Sequence, residues 1–130
     1  MSLGVYDYTV TIKTEIYPTE RKKVVQYCLE EIFPSTEWNM EGEELHGESK
    51  SLEEFAEILY DTKIRDTARE HLLRKVNDGK CSFVLSKQAT CTRRINFSVV
   101  EQPLGVVEIT IECDQIESLI RELTKTWGRR

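Results

Sequence analysis

The stretch YDYTVTIKTEIY, residues 6–17, decides the fold class of this chain. Its side chains alternate between apolar and polar along the segment. The apolar set that would point one way is Tyr6, Tyr8, Val10, Ile12 and Ile16. Because successive side chains of a strand point to opposite faces of a sheet, the alternation predicts a strand with one buried and one solvated face. A sheet of this kind is mainly antiparallel, with helices packed on one face only.

The flanking segments complete a single α+β domain with the element order β-α-β(β)-α-α-β-β-β-α. Alternation predicts further strands at residues 36–40, 44–48, 81–86, 94–99 and 107–113. Apolar residues at helical spacing predict four helices, which begin near Thr19, Ser51, Ile64 and Asp114. We interpret residues 1–130 as one domain, with residues 1–4 as a disordered leader and residues 128–130 as a frayed tail.

Short polar motifs predict where these elements start and stop. Thr19 and Ser51 are capping residues by type, and Glu54 follows Ser51 at the distance of a capping box. Asn77-Asp78-Gly79 is expected to end the third helix, because glycine adopts the left-handed conformation there at little cost. A turn centred on Gln88-Ala89 would then join two of the predicted strands.

The charge of the chain is unevenly distributed. The net charge of the 130 residues is −5, but residues 1–60 hold 13 acidic and 5 basic residues, whereas residues 61–130 hold 10 and 13. An acidic protein repels a phosphate backbone at long range, so a nucleic-acid role would need a basic patch in the second half. No apolar run approaches the roughly 20 residues of a membrane helix, so we expect a soluble protein without a membrane role.

The residue types that perform catalysis or bind metals are scattered. The cysteines form no Cys-x-x-Cys pair of the kind that zinc sites favour, and we expect four reduced thiols, namely Cys28, Cys81, Cys91 and Cys113. His46 stands alone, and His71 lies five positions from Asp66, on another side of the predicted helix. No phosphate-binding loop or dinucleotide fingerprint occurs. We predict no catalytic residue, metal, cofactor or small-molecule substrate, and keep an enzyme of unknown class as the least favoured alternative.

Five basic residues are candidates for binding the phosphates of structured RNA. Arg65 and Arg69 lie one turn apart on a predicted helix, and Lys87, Arg93 and Arg94 flank one predicted turn. If these side chains converge, they can bind phosphate groups. Ordinary solvation of a helix face and a turn is the competing interpretation. The outward positions of the predicted strands carry no aromatic side chain, which argues against recognition of RNA by base stacking on the sheet.

Assembly with a protein, including a second copy of the chain, is the other hypothesis. The outward sheet face is expected to carry both signs of charge, with Lys13 and Arg94 against Glu108 and Glu112. Such a face can complement itself across a two-fold axis. Trp38 and Met40, in an otherwise polar segment, and Tyr17, at a strand end, are candidate interface anchors, and packing of Trp38 into the core is the alternative.

Five strings, taken in order along the chain, resemble one protein family. They are GESKSLE at 47–53, IRDTAR at 64–69, LLR at 72–74, FVLSKQA at 83–89 and PLG at 103–105. Each string is weak by itself, but the ordered set is specific and extends over nearly the whole chain. In this set the chain resembles the archaeal uncharacterised protein family 201.

The resemblance implies a fold similar to that of the ribosomal protein that binds 5S ribosomal RNA. It also implies an archaeal origin, a cytoplasmic location and a homodimer, but no known activity. The sequence departs from the usual family pattern at Ser86, where asparagine is common, and at Arg93, where glycine is common. The additional arginine favours an anion-binding patch. We therefore expect a non-enzymatic domain that acts by associating with protein or with structured RNA.

Overall fold

A computed structural model describes Leu3, residues 6–97 and residues 105–125. The strands are β1 (Tyr8–Glu15), β2 (Glu37–Glu41), β3 (Glu44–Ser49), β4 (Val76–Asn77), β5 (Lys80–Ser86) and β6 (Val106–Cys113). The helices are α1 (Lys22–Glu30), α2 (Glu53–Asp61), α3 (Arg65–Arg74), α4 (Lys87–Thr90) and α5 (Ile116–Leu123). The predicted α+β class and the order of the main elements are confirmed.

The six strands form one antiparallel sheet in the order β2-β3-β1-β6-β5-β4. The strand predicted from residues 6–17 lies inside it, where Ile12 pairs with Gly47 of β3 on one side and with Ile109 of β6 on the other. Val10 and Ile12 are fully buried, whereas the intervening Thr11 is exposed. The alternation in the sequence therefore separates a face covered by helices from a polar face open to solvent.

One hydrophobic cluster fills the space between the sheet and the helices. Aromatic rings cross it in contact with one another: Phe33 stacks on Phe55 at 5.7 Å between centroids, and Phe55 packs against Phe83 at 6.0 Å. Phe97 continues the row at 5.8 Å from Phe83. Leu3 is also fully buried in this cluster, and the disordered leader expected at residues 1–4 stays a prediction.

The start of α1 differs from the prediction. Thr19 does not cap the helix, which begins at Lys22 with Arg21 at the N-cap and no capping side chain. The Glu20 carboxylate instead accepts a hydrogen bond from the Tyr17 backbone N–H at 2.9 Å. It also forms an ion pair with Lys87. A partner distant in sequence thus determines the local conformation, which is why capping propensity fails here.

The segment Asn77-Asp78-Gly79 forms a hairpin turn and does not end α3, so the prediction of a helix end there is wrong. α3 ends at Arg74, and β4 and β5 then pair through Asn77 and Lys80. Asp78 and Gly79 both have positive φ, at 56° and 75°. Two such residues are typical of the tight turn whose twist matches an antiparallel pair, and Asp-Gly is its common sequence.

The region after β5 also differs from the prediction. The expected turn at Gln88-Ala89 is the helix α4, which Ser86 caps by accepting a hydrogen bond from the Ala89 N–H at 3.2 Å. Residues 94–97 form no strand, although the Asn96 carbonyl accepts a bond from the Ser86 N–H at 3.0 Å. The chain turns at Arg93, whose φ is 56°, directly before the residues assigned to the strand.

Some predictions fall on residues outside the described part of the chain. These are residues 1, 2 and 4 of the expected leader, residues 98 and 99 of the strand expected at 94–99 and the tail expected at 128–130. Within α5, the predicted inner residues are all buried, namely Ile116, Leu119, Ile120 and Leu123.

Candidate functional site

The face of the sheet that carries no helix is polar, and its charges pair within the chain. Lys13 lies 3.9 Å from Glu108, and Lys80 lies 3.5 Å from Glu112. Arg94, which we expected on this face, follows α4 and belongs to no strand. The charges assigned to a two-fold interface are therefore balanced in the same molecule, and self-complementarity of this face stays a prediction.

Glutamates dominate the half of this open face that ends at β2. Two rows of carboxylates cross the strands, with Glu15, Glu44 and Glu41 in one and Glu48 and Glu37 in the other, and the row of Lys13, His46 and Asn39 lies between them. His46 lies beside the first row, with its Nε2 atom 3.2 Å from Glu44 and 3.8 Å from Glu41. The described strands place no aromatic ring on the open face, in agreement with the sequence analysis. This face therefore offers no stacking platform to a nucleic acid, and its cations Lys13 and Lys80 lie beside carboxylates.

Trp38 packs against the core instead of the open face. Its ring is half-buried and covers Gly47, where an added Cβ would lie 2.6 Å from the Trp38 Cζ3 atom. The indole N–H donates a 2.7 Å hydrogen bond to the Glu30 carboxylate at the end of α1. The alternative interpretation of Trp38, as a core residue, accounts for these contacts.

Lys87, one of the five predicted phosphate-binding residues, is buried. Only 2% of the residue is exposed, and its Nζ atom donates to the Glu15 carbonyl at 2.6 Å and to the Glu20 carboxylate at 2.9 Å. The ammonium also lies 4.6 Å from the centre of the Tyr17 ring. These contacts join α4 to the end of β1 and occupy the charge of Lys87 inside the fold.

Three of the other predicted arginines take different environments. Arg93 forms an ion pair with Glu54 of α2, and the Arg65 guanidinium lies over the Tyr60 ring, 4.7 Å from its centre. Arg94 is exposed and lines a depression of about 270 Å³ next to Ile64, at the start of α3. The structure therefore brings Arg94 close to the turn that precedes Arg65. Arg93 and Lys87, in contrast, form ion pairs with carboxylates of the same chain.

Arg69 instead lies where α3 packs against α5. Its Nε and one terminal nitrogen donate to the Thr124 hydroxyl at 3.1 Å and the Thr124 carbonyl at 3.0 Å, and its other terminal nitrogen lies 3.9 Å from Asp66. The bond to the Thr124 carbonyl satisfies a backbone oxygen at the carboxyl end of α5. The helix dipole makes a positive charge favourable at this end. Arg69 is thus held in a fixed position beside the last turn of α5.

A shallow depression of about 330 Å³ opens at this helix contact. It is lined by Arg69, Ser118, Arg121, Glu122 and Lys125. Lys125 lies 3.2 Å from the Glu122 carboxylate, while Arg121 is exposed and forms no ion pair within the described residues. We call the three cations and Ser118 the α3–α5 basic surface. Sequence reasoning missed Arg121 and Lys125, although their spacing of four residues placed them on one helix face.

His71 lies in a separate depression of about 390 Å³, and its surroundings disfavour the charged form of the imidazole. The ring stacks on Phe97 at 4.7 Å between centroids, and the Nε2 atom is buried without a hydrogen-bond partner. Burial, and then the charges of Lys75 and Arg74, lower the pKa of His71. Among the described residues, no cluster of histidine, cysteine and carboxylate side chains could hold a metal ion.

Acid is expected to destabilise the protein through His71. In the unfolded chain the pKa of this imidazole is the ordinary value of about 6.5, so the unfolded state takes up the proton first as the pH falls. The free energy of unfolding should therefore decrease from about pH 6.5 down to the lowered pKa of the folded state. Urea denaturation at several pH values would show a shallower decrease for His71→Phe than for the unchanged protein. An equal decrease in both proteins would contradict the prediction.

No helix in the described ranges combines the length and the apolar character needed to cross a membrane.

Curated archaeal proteins are similar to the chain over most of its length. A UPF0201 protein of Methanothermobacter thermautotrophicus is 32% identical over 116 residues, which cover 85% of this chain and 86% of that protein. A UPF0200/UPF0201 protein of Archaeoglobus fulgidus is 33% identical over 108 residues, or 82% of this chain. The chain spans only 33% of the length of this second relative.

A solved structure shares the fold. The crystal structure of a UPF0201 protein from Methanococcus jannaschii matches with a TM-score of 0.82 and 29% sequence identity, over 90% of this chain and 99% of that one. No family model matches the chain.

Proposed function

Because this chain belongs to the UPF0201 family, whose compared members are archaeal and are named without an activity, we propose its function from the geometry alone. We propose that the protein binds structured RNA through the α3–α5 basic surface. The observation that carries the proposal is the convergence of Arg69, Arg121 and Lys125 on one depression between two packed helices.

The arrangement of these side chains suits phosphate groups. Arg121 lies on α5 and Lys125 directly follows the end of this helix, while Arg69 stands opposite them on α3, held by Thr124. Arginine binds phosphate oxygens through two parallel N–H groups, and the Ser118 hydroxyl can donate a further hydrogen bond. Glu122 reduces the local charge, but it leaves three cations against one carboxylate in the depression.

The distribution of charge over the two layers supports the same orientation. The open face of the sheet carries the glutamate rows, which repel phosphate, whereas the depression between α3 and α5 holds three cations against one carboxylate. RNA would therefore approach the helical layer, and the sheet would face away from it. Contacts of this kind position a nucleic-acid backbone by shape and charge and do not read bases.

Other parts of the sequence analysis stay predictions. The likeness to the ribosomal protein that binds 5S RNA is an analogy of fold, and fold alone does not carry function. The homodimer, the cytoplasmic location and the absence of enzymatic activity also stay predictions. Association with a protein is the second function that we propose, because Val24 and Tyr27 expose a large apolar area on one side of α1.

The affinity for RNA is expected to fall steeply with salt. If the three cations each neutralise one phosphate, raising the salt from about 50 to about 200 mM should weaken binding to a labelled RNA hairpin by about 40-fold. Arg121→Gln should reduce this loss to about 12-fold and weaken binding roughly tenfold at about 0.1 M salt, since each lost contact lowers the salt slope by about 0.9. Fluorescence anisotropy over a salt series measures both quantities.

Arg74→Gln is the matched control for this experiment. Arg74 is also an exposed helical arginine, but it pairs with Glu70 at 3.3 Å and does not line the depression. This variant should keep the affinity and the salt slope of the unchanged protein. Binding that does not depend on salt, or equal slopes for Arg121→Gln and the unchanged protein, would refute the proposal. Recovery of protein without RNA after cross-linking in a native extract would favour the second function.

A further inference from the structure

Cys28 and Cys91 meet in the fold although they lie 63 positions apart in the chain. Cys28 is buried on α1, and Cys91 is exposed directly after α4. The Cys91 thiol is near enough to Cys28 to be one of the causes that raise the pKa of Cys28. Cys91 also lines a depression of about 450 Å³ together with Val24, which precedes Cys28 by one helical turn on α1. Two independent features of the structure therefore place Cys91 against the side of α1 that carries Cys28.

We propose that Cys28 and Cys91 form a dithiol site that a low-molecular-weight disulfide, such as glutathione disulfide, converts into an intramolecular disulfide. This site is separate from the α3–α5 basic surface and does not depend on RNA binding. It would covalently join α1 to the segment after α4 on the oxidised protein.

The reaction proceeds by two thiol–disulfide exchanges. The Cys91 thiolate attacks one sulfur of glutathione disulfide, which forms a mixed disulfide at Cys91 and releases one glutathione thiolate. The Cys28 thiolate then attacks the Sγ atom of Cys91, which forms the bond between the two cysteines and releases the second glutathione. The two protein thiols lose two electrons and two protons in total, and glutathione disulfide accepts them as it becomes two thiols.

The exposure of the two thiols fixes the order of these steps. Glutathione disulfide can reach Cys91 at the surface, whereas Cys28 is covered and acts only on the adjacent Cys91 sulfur. Burial, together with the neighbouring Cys91 and Glu31, raises the pKa of Cys28 to about 12. Because only the thiolate attacks, closure of the disulfide should be slow near neutral pH and should accelerate about tenfold per pH unit as the pH rises from about 7 to 9.

The other two cysteines are shielded from this chemistry. Cys81 is fully buried and its thiol donates to the Leu72 carbonyl at 3.3 Å, while burial raises its pKa to about 12. Cys113 is also buried, at the end of β6. Both should remain thiols while the native fold persists, which gives the experiment an internal control.

Incubation of the full chain with millimolar glutathione disulfide, without RNA, tests the proposal. Mass spectrometry should show the loss of two hydrogens, about 2 Da, and peptide mapping should find one bond between Cys28 and Cys91. Because the bond closes a long loop of the unfolded chain, oxidation should raise the melting temperature by an amount on the order of 10 °C. Dithiothreitol should reverse both changes.

Two variants identify the roles of the thiols. Cys91→Ser, at an exposed position, should acquire neither a disulfide nor glutathione, because Cys28 is covered. Cys28→Ala should accumulate a stable mixed disulfide of glutathione with Cys91, since no second thiol resolves it. A mixed disulfide that persists in the unchanged protein at about pH 9, a bond to Cys81 or Cys113, a disulfide-linked dimer, or a lower melting temperature after oxidation would each overturn the proposal.

Discussion

Replacing Glu20 with alanine is expected to lower the free energy of unfolding by about 3–5 kcal/mol, because the change leaves a buried ammonium without its counter-charge. Lys87 is 2% exposed, and its Nζ atom lies 2.9 Å from Glu20. The Glu15 carbonyl, at 2.6 Å, would remain as a hydrogen-bond acceptor, but it carries no full charge. The variant also removes the acceptor of the Tyr17 N–H. Urea denaturation followed by circular dichroism measures the difference.

A second substitution separates the unpaired charge from other effects of the Glu20 change. Glu20→Ala combined with Lys87→Met should recover most of the lost stability, since an apolar side chain of similar length needs no counter-charge in this position. The matched control is Glu48→Ala, which removes the exposed partner of Lys50 and should change stability by less than about 1 kcal/mol. A cost for Glu20→Ala as small as that of the control would show that the buried pair is not structurally important.

Phe55→Ala is expected to cost about 3–5 kcal/mol of folding stability, because it opens a cavity in the middle of the aromatic row. Phe55 is fully buried between Phe33 and Phe83, at centroid distances of 5.7 and 6.0 Å. Both neighbours would lose a ring contact in addition to the area that Phe55 itself buries. Thermal and urea denaturation should both report the loss.

Two further substitutions act as controls for the Phe55 prediction. Phe55→Leu keeps most of the volume and should cost clearly less than the alanine variant. Tyr27→Ala removes an aromatic ring that is 67% exposed on α1, and should remain within about 0.5 kcal/mol of the unchanged protein. If Phe55→Ala and Tyr27→Ala had similar effects, the aromatic row would not be the centre of the core.

Features that depend on local periodicity were predictable from the sequence. β1 and β6 show the alternation of buried and exposed residues that their sequences predict, and α5 buries the apolar stripe that its sequence predicts. Each of these patterns arises because one face of the element packs against the hydrophobic core. The hairpin at Asp78-Gly79 was also readable, because this dipeptide favours the positive φ values that the turn requires. The sequence analysis assigns Gly79 to a helix end, whereas in the structure the Asp78-Gly79 pair forms the turn between β4 and β5.

Features that depend on distant partners were not predictable in this way. The sequence shows the charges of Lys87 and Arg93 but not their carboxylates, which lie 67 and 39 positions away in the chain. The same limit explains the candidate site, since Arg69 meets Arg121 only because α3 packs on α5. The sequence therefore shows which side chains carry a positive charge. Whether such a side chain is free to bind another molecule depends on its tertiary contacts.

The glutamate rows on the open face have a consequence for the end of the sheet. β2 is an edge strand, and its unpaired backbone groups could template the addition of another strand. If a second β2 added antiparallel about Asn39, Glu37 of each copy would lie opposite Glu41 of the other, and like charges in that position are destabilising. The same carboxylates that keep nucleic acid away from the sheet thus protect its edge from fibril-like growth and help to keep the folded chain dispersed.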